Sequence, residues 1–118
     1  MSLMERFYDK LLSDELMRPV FIDVAKIDLD HHLPILTDFW EYVLFQKGNY
    51  SGNPMQIHLA LNREIPLTHL HFTTWLKYFE ETVNELFEGP VAFMAITRAH
   101  SIAAAMQQKI YQATKLNN

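Results

Sequence analysis

The chain contains no cysteine. That excludes disulfides, thiolate metal sites, iron–sulfur clusters and cysteine nucleophiles together. It is compatible with a reducing cytoplasm, the address expected here. Glycine is scarce, with Gly 3 in 118 residues, which argues against a sheet-rich fold built on many tight turns. Cations are outnumbered, 10 Lys and Arg against 14 Asp and Glu for a net charge of -4. Phosphate backbones are held by clustered Lys and Arg, so no nucleic-acid partner is expected. No charge-free run reaches the roughly 18–20 residues of a bilayer span. No basic stretch leading into an apolar run opens the chain, so neither a membrane span nor a signal peptide is expected. Enzyme signatures are missing as well: no Gly-rich phosphate loop, no Walker-type lysine, no Gly-x-Ser-x-Gly elbow and no His-Glu-x-x-His zinc pair.

What is present is apolar and aromatic: 49% hydrophobic residues against 20% charged, with Phe 8, Tyr 5 and Trp 2. This is the balance of an ordinary globular domain, and the length suits one core. A single domain over residues 1–118 is expected, with 1–3 read as an expression scar and about 112–118 as a frayed tail. Apolar residues recur at helical spacing through most of it. Phe7, Leu11 and Leu12 line a first helix that runs to Ser13-Asp14. Leu16 to Phe21 forms a short piece interrupted by Pro19. A polar connection, Asp23 to Asp30, leads into a helix carrying Leu36, Phe39, Trp40, Val43 and Leu44, with Asp28 or Asp30 as its cap and Pro34 in its first turn. Gly48 to Pro54 is a loop, and Met55 to Leu61 a short apolar piece. Thr68 caps a long helix with Phe72, Trp75, Leu76, Phe79, Val83 and Leu86 inside. Gly89 then closes that helix and Pro90 opens the last, whose inner residues read as Val91, Met94, Ala95, Ile102, Ala105, Met106 and Ile110. The fold class is all-α.

The metal-ligating residues are His31, His32, His58, His69, His71 and His100, with six Met. Residues two apart on a helix diverge by about 200°, so His69 and His71 do not converge on one metal, nor do the adjacent His31 and His32. What remains is a single histidine aimed at a large cofactor. His58 lies in Met55-Gln56-Ile57-His58-Leu59-Ala60-Leu61, just after a loop. On spacing alone such a residue is usually a satisfied core or surface histidine. A haem would account for it together with the aromatic content, since it needs one axial imidazole, an apolar slot and a few polar groups opposite.

Several segments in order resemble the group III truncated haemoglobins. Phe7-Tyr8, Arg18-Pro19-Val20-Phe21, and His32 with Phe39-Trp40 look like the distal half of that family. Asn49 to Pro54 with His58-Leu59 and Leu61 look like its proximal region. The run from His71 through Phe72, Trp75, Leu76 and Phe79 to Thr82 is similar to its long fifth helix, and Arg98-Ala99 with Ile102-Ala103 to its last. The resemblance covers roughly Met4 to Tyr111. It departs at the start, where a further short helix would be usual ahead of Met4, and at Leu61 to Pro66, which is longer or more polar than the pattern.

The resemblance implies a truncated-globin helical sandwich, two helices over two, holding haem b. It implies His58 as the proximal iron ligand and Phe21, Leu36, Phe39, Met55 and Phe72 as apolar contacts of the cofactor. Tyr8, His32 and Trp75 would face a diatomic ligand such as oxygen, nitric oxide or carbon monoxide. Trp40 reads chiefly as core. Ligand bound at ferrous iron gains partial negative charge, and a phenol O–H and an indole N–H are donors suited to it. His32 shares a helical stripe with Leu36 and Phe39, where it can face the ligand or turn to solvent as a gate. Lys47 and Arg63 are candidate partners for the haem propionates, although solvated-face residues would look the same. Three functions fit: reversible gas binding at haem; haem redox turnover of peroxide or nitrogen oxides with a reductase partner; and a haemless helical interaction module.

Overall fold

A computed structural model describes residues 2–45, 52 and 54–116. Helix α1, Ser2–Ser13, buries Met4, Phe7, Tyr8 and Leu11, one face at the spacing of a 3.6-residue period. Asp14 ends it and starts the next turn. Its Oδ1 accepts the backbone N–H of Leu16 at 2.8 Å and of Met17 at 3.1 Å, and its Oδ2 accepts the Tyr78 hydroxyl at 2.5 Å. Past Pro19 the chain makes a π-helical turn over Val20–Val24, in which the Ala25 N–H reaches the Val20 carbonyl. Lys26 then adopts a left-handed φ of 53°.

Helix α2 spans Leu29–Phe45. Asp28 caps it: its carboxylate accepts the Asp30 N–H at 3.2 Å, and its carbonyl accepts the His32 N–H. Pro34 stands one turn further in than its spacing suggested, inside the helix, and removes the N–H that would reach the Asp30 carbonyl. Helix α3, Pro54–Glu64, opens on a proline and outlasts its apolar run, continuing through Asn62, Arg63 and Glu64. Asn62 Oδ1 accepts the Leu67 N–H at 2.9 Å and so closes the bend beyond it.

Helix α4, His69–Leu86, has Thr68 as its N-cap as expected. It ends differently from the sequence reading. The C-cap is Phe87, in extended conformation, and Gly89 lies two residues beyond with φ +89°. The Gly89 carbonyl accepts the Phe93 N–H, so this glycine opens the last helix instead of closing α4. That helix, α5, spans Pro90–Leu116. Its buried stripe is Ala92, Ala95, Ala99, Ala103, Met106 and Ile110, while Val91 and Met94 are exposed, and so is Ala105. From Ala92 to Ala103 small residues let α5 lie close against its neighbours, and Val91 and Met94 fall outside.

Among the described residues there is no strand. Helices α1 and α2 form one layer, α4 and α5 the other; α1 packs on α4, α2 on α5, and α3 rests on α5. This is the two-over-two sandwich the resemblance implied. At its centre Phe79 is fully buried. It stacks on Trp40 (4.7 Å, 21°) and on Trp75 (5.6 Å, 6°) and meets Phe7 edge-on at 5.3 Å. Lys10 of α1 pairs with Glu85 of α4 at 2.8 Å. Such exposed pairs add at most about 1 kcal/mol.

Candidate functional site

Where the two layers meet α3, a cavity of about 240 Å³ is lined by Tyr8, Phe21, His32, Leu36, Phe39, His58, His71, Phe72 and Trp75, among other residues. Apolar side chains make most of its wall, and the polar ones are few and come from different helices.

From α1 comes Tyr8, only 4% exposed. Its ring is held edge-on by Phe7 at 5.6 Å, Phe21 at 5.3 Å and His32 at 5.6 Å. Burial holds its phenol well above the ordinary tyrosine pKa, so the hydroxyl stays protonated. His32, on α2, places Nε2 3.3 Å from Tyr8 Oη. Its pKa is lowered, first by desolvation and then by repulsion from His31 and His58, which favours the neutral ring. The His32 tautomer then sets what the phenol does. With the proton on Nδ1, Tyr8 donates to the Nε2 lone pair. With the proton on Nε2, the imidazole donates and the tyrosine proton is released towards the cavity.

From α3 comes His58. Its Nδ1 lies 2.6 Å from the Pro54 carbonyl oxygen. A carbonyl can only accept, so Nδ1 carries the proton and Nε2 keeps its lone pair. A backbone acceptor on one ring nitrogen fixes orientation and tautomer for a metal on the other. One imidazole cannot hold a bare ion, and among the described residues no group of three or more His, Asp or Glu is arranged to do so. A planar macrocycle that brings its own four in-plane donors needs one axial nitrogen and an apolar slot. The donor set present fits that group.

From α4 come Phe72 and Trp75, and also His71, which the sequence reading passed over. Trp75 is locked by its stack on Phe79 and by Phe7 at 5.5 Å. Its indole N–H has no hydrogen-bond partner among the described residues. His71 is 8% exposed. It occupies the third helical position in a capping box with Thr68, the place where Glu or Gln is usual. The spacing Thr68-x-x-His71 was the available signal. Of the other expected residues, Phe21, Leu36 and Phe39 line the cavity. Met55 lies outside it, in an open groove of about 860 Å³ between α2, α3 and α5 that shares Phe39, Pro54, Ile102 and Met106 with the cavity. Met55 also packs on the cluster of Phe72, Ala103, Met106 and Ile110. Arg63 is exposed near the end of α3, and Lys47 lies outside the described residues.

An all-α sandwich in which one oriented imidazole and two or three hydrogen-bond donors line a mostly apolar cavity is a globin-type pocket. Comparison with known proteins narrows the class. No family model matches the chain. It is 32% identical over 114 residues to the group 3 truncated hemoglobin ctb of Campylobacter jejuni, covering 94% of this chain and 87% of that protein. A crystal structure of a group III truncated hemoglobin from Campylobacter jejuni shares the fold with a TM-score of 0.85 at 30% identity, over 95% of this chain and 88% of that one. The chain belongs to the group III truncated haemoglobins, a family of haem-binding globins. Among the described residues, no helix is long and apolar enough to cross a membrane.

Proposed function

We propose that residues 1–118 form a single cytoplasmic truncated-globin domain that binds haem b through His58 Nε2 and takes up oxygen or another diatomic gas, with a reductase as redox partner. The observation that carries this reading is the bond between His58 Nδ1 and the Pro54 carbonyl. It leaves one imidazole lone pair facing an apolar cavity. Haem supplies an iron centre that takes up a diatomic ligand and places partial negative charge on it. The chain supplies the rest. Phe21, Leu36, Phe39 and Phe72 exclude water from the slot, and Tyr8 and Trp75 present O–H and N–H donors to the distal side. A buried donor to a charged acceptor is worth about 1.5–3 kcal/mol. His32 competes for the Tyr8 proton and, half-buried, stands where it can gate entry.

The test is an absorption spectrum after reconstitution with haem. Wild type is expected to give a Soret band and ferrous spectra characteristic of an axial histidine. His58→Ala is expected to lose that ligation while keeping its helical content by circular dichroism. A wild type without a Soret band, or a His58→Ala variant with unchanged spectra, refutes the assignment.

A further inference from the structure

The function proposed above does not use His71, although it is more than nine-tenths buried and lines the same cavity. Its Nδ1 lies 3.0 Å from the Thr68 backbone N–H, which can only donate. Nδ1 is therefore an acceptor, and the ring proton sits on Nε2. This is the opposite tautomer to His58, whose Nδ1 faces a carbonyl. The two cavity histidines thus differ in kind: His58 offers a lone pair, His71 a proton. His71 could ligate a metal through Nε2 only by giving up the bond that caps α4. Its Nε2–H has no acceptor among the described residues, and burial lowers the pKa of the ring, which keeps it a neutral donor. The site also sits at the N-terminus of α4, whose first turn carries no acidic side chain and whose dipole favours an anion.

We propose that His71 Nε2–H donates to a carboxylate of the bound porphyrin, making His71 a positioning residue that sets how tightly and in which orientation haem is held. This rests on the haem reading and refines it by naming an uncharged partner for a propionate where the sequence suggested Lys47 and Arg63. An acceptor is what the arrangement lacks, and the porphyrin carboxylates are the anionic groups that a haem brings with it.

The experiment measures haem loss to an excess of an apo-globin acceptor, for wild type, His71→Gln and His71→Glu. Each is loaded with haem or with haem dimethyl ester, in which the carboxylates are neutralised. Both replacements can still accept the Thr68 N–H in a capping box, and apo-protein thermal melts check that the cap survives. Haem loss is expected to accelerate about tenfold or more in His71→Glu, which offers no donor and adds like-charge repulsion, and less in His71→Gln, whose amide N–H can still donate. With the ester, the three proteins are expected to lose the porphyrin at rates within about twofold of one another. Equal acceleration for both porphyrins would mean a packing role and overturn the proposal. So would an unchanged rate for free-acid haem, or a change confined to gas dissociation. A wild type that takes up no haem sinks the haem reading together with this one.

Discussion

Tyr8→Phe separates the chemistry of the distal pocket from its packing. The Tyr8 ring is fixed on three sides by Phe7, Phe21 and His32 at centroid distances of 5.3–5.6 Å, and the substitution removes none of those ring contacts. It removes the hydroxyl and its 3.3 Å bond to His32. A neutral hydrogen bond contributes about 0.5–1.5 kcal/mol, so the apo-protein is expected to lose no more than that, a few degrees of melting temperature. The ligand-facing cost is larger. A donor to a partly charged acceptor is worth about 1.5–3 kcal/mol, which corresponds to a roughly ten- to hundredfold faster oxygen dissociation. Because the Trp75 N–H remains, the lower part of that range is expected. Stopped-flow displacement of oxygen by carbon monoxide reads the rate directly.

A double-mutant cycle with His32→Leu then tests the competition for the phenol proton. His32→Leu alone releases that proton to the cavity and is expected to slow oxygen dissociation while altering association, since the proposed gate is gone. In the Tyr8→Phe background the effect on dissociation should vanish. Dissociation within twofold of wild type in Tyr8→Phe, or strictly additive effects of the two substitutions, would refute the reasoning.

Two further perturbations probe the frame that holds the pocket. Asp14→Asn keeps an oxygen for the turn at Leu16 and Met17 but loses the charged acceptor of the Tyr78 hydroxyl, a cost of about 1–2 kcal/mol at pH 7. The Tyr78 bond, chiefly, holds the Asp14 carboxyl below its ordinary pKa. Its stabilisation is therefore present above the unfolded value and lost as pH falls through the folded one, so the gap between variant and wild type in urea should close below about pH 4. The same bond raises the Tyr78 pKa, and that contribution fades instead as pH rises through its folded value. Gly89→Ala meets open space, since an added Cβ finds nothing within 4 Å. Its φ of +89° still strains any L side chain, and a loss of about 1–2 kcal/mol is expected by denaturant titration; an unchanged midpoint would contradict the positive φ.

Much of the fold was legible because it rests on local patterns. Phe7 and Leu11 on α1, the Thr68 cap and the break before Pro90 each follow from spacing within one or two turns; Met4 and Tyr8 complete the buried face of α1, where Leu12 was expected and is only partly buried. What spacing could not decide was which face a uniformly apolar helix turns inward. In α5, alanines and larger residues alternate around the whole circumference. Hydrophobicity favoured Val91 and Met94, whereas close approach to α4 selects Ala92 and Ala99 beside the expected Ala95. The same limit displaced Gly89, because closing one helix and opening the next call for a similar residue a few positions apart.

The chemistry of the pocket depended on the backbone partners of its histidines. His58 and His71 look alike in sequence, each a histidine beside apolar neighbours, and residue type alone does not distinguish ligand from donor. The backbone group facing Nδ1 does. Four residues before His58 stands Pro54, which opens α3, and its carbonyl lies within reach of the ring. Three residues before His71 stands Thr68, the cap of α4, whose N–H is left over by helix geometry and turns to the ring. A histidine one turn into a helix thus takes its tautomer from where the helix begins. Position three faces an orphan N–H and becomes a donor at Nε2, while a ring that folds back on a first-turn carbonyl keeps an Nε2 lone pair, as the proposed haem ligation requires. In this chain two helix starts, at Pro54 and Thr68, assign opposite roles to two imidazoles on one cavity.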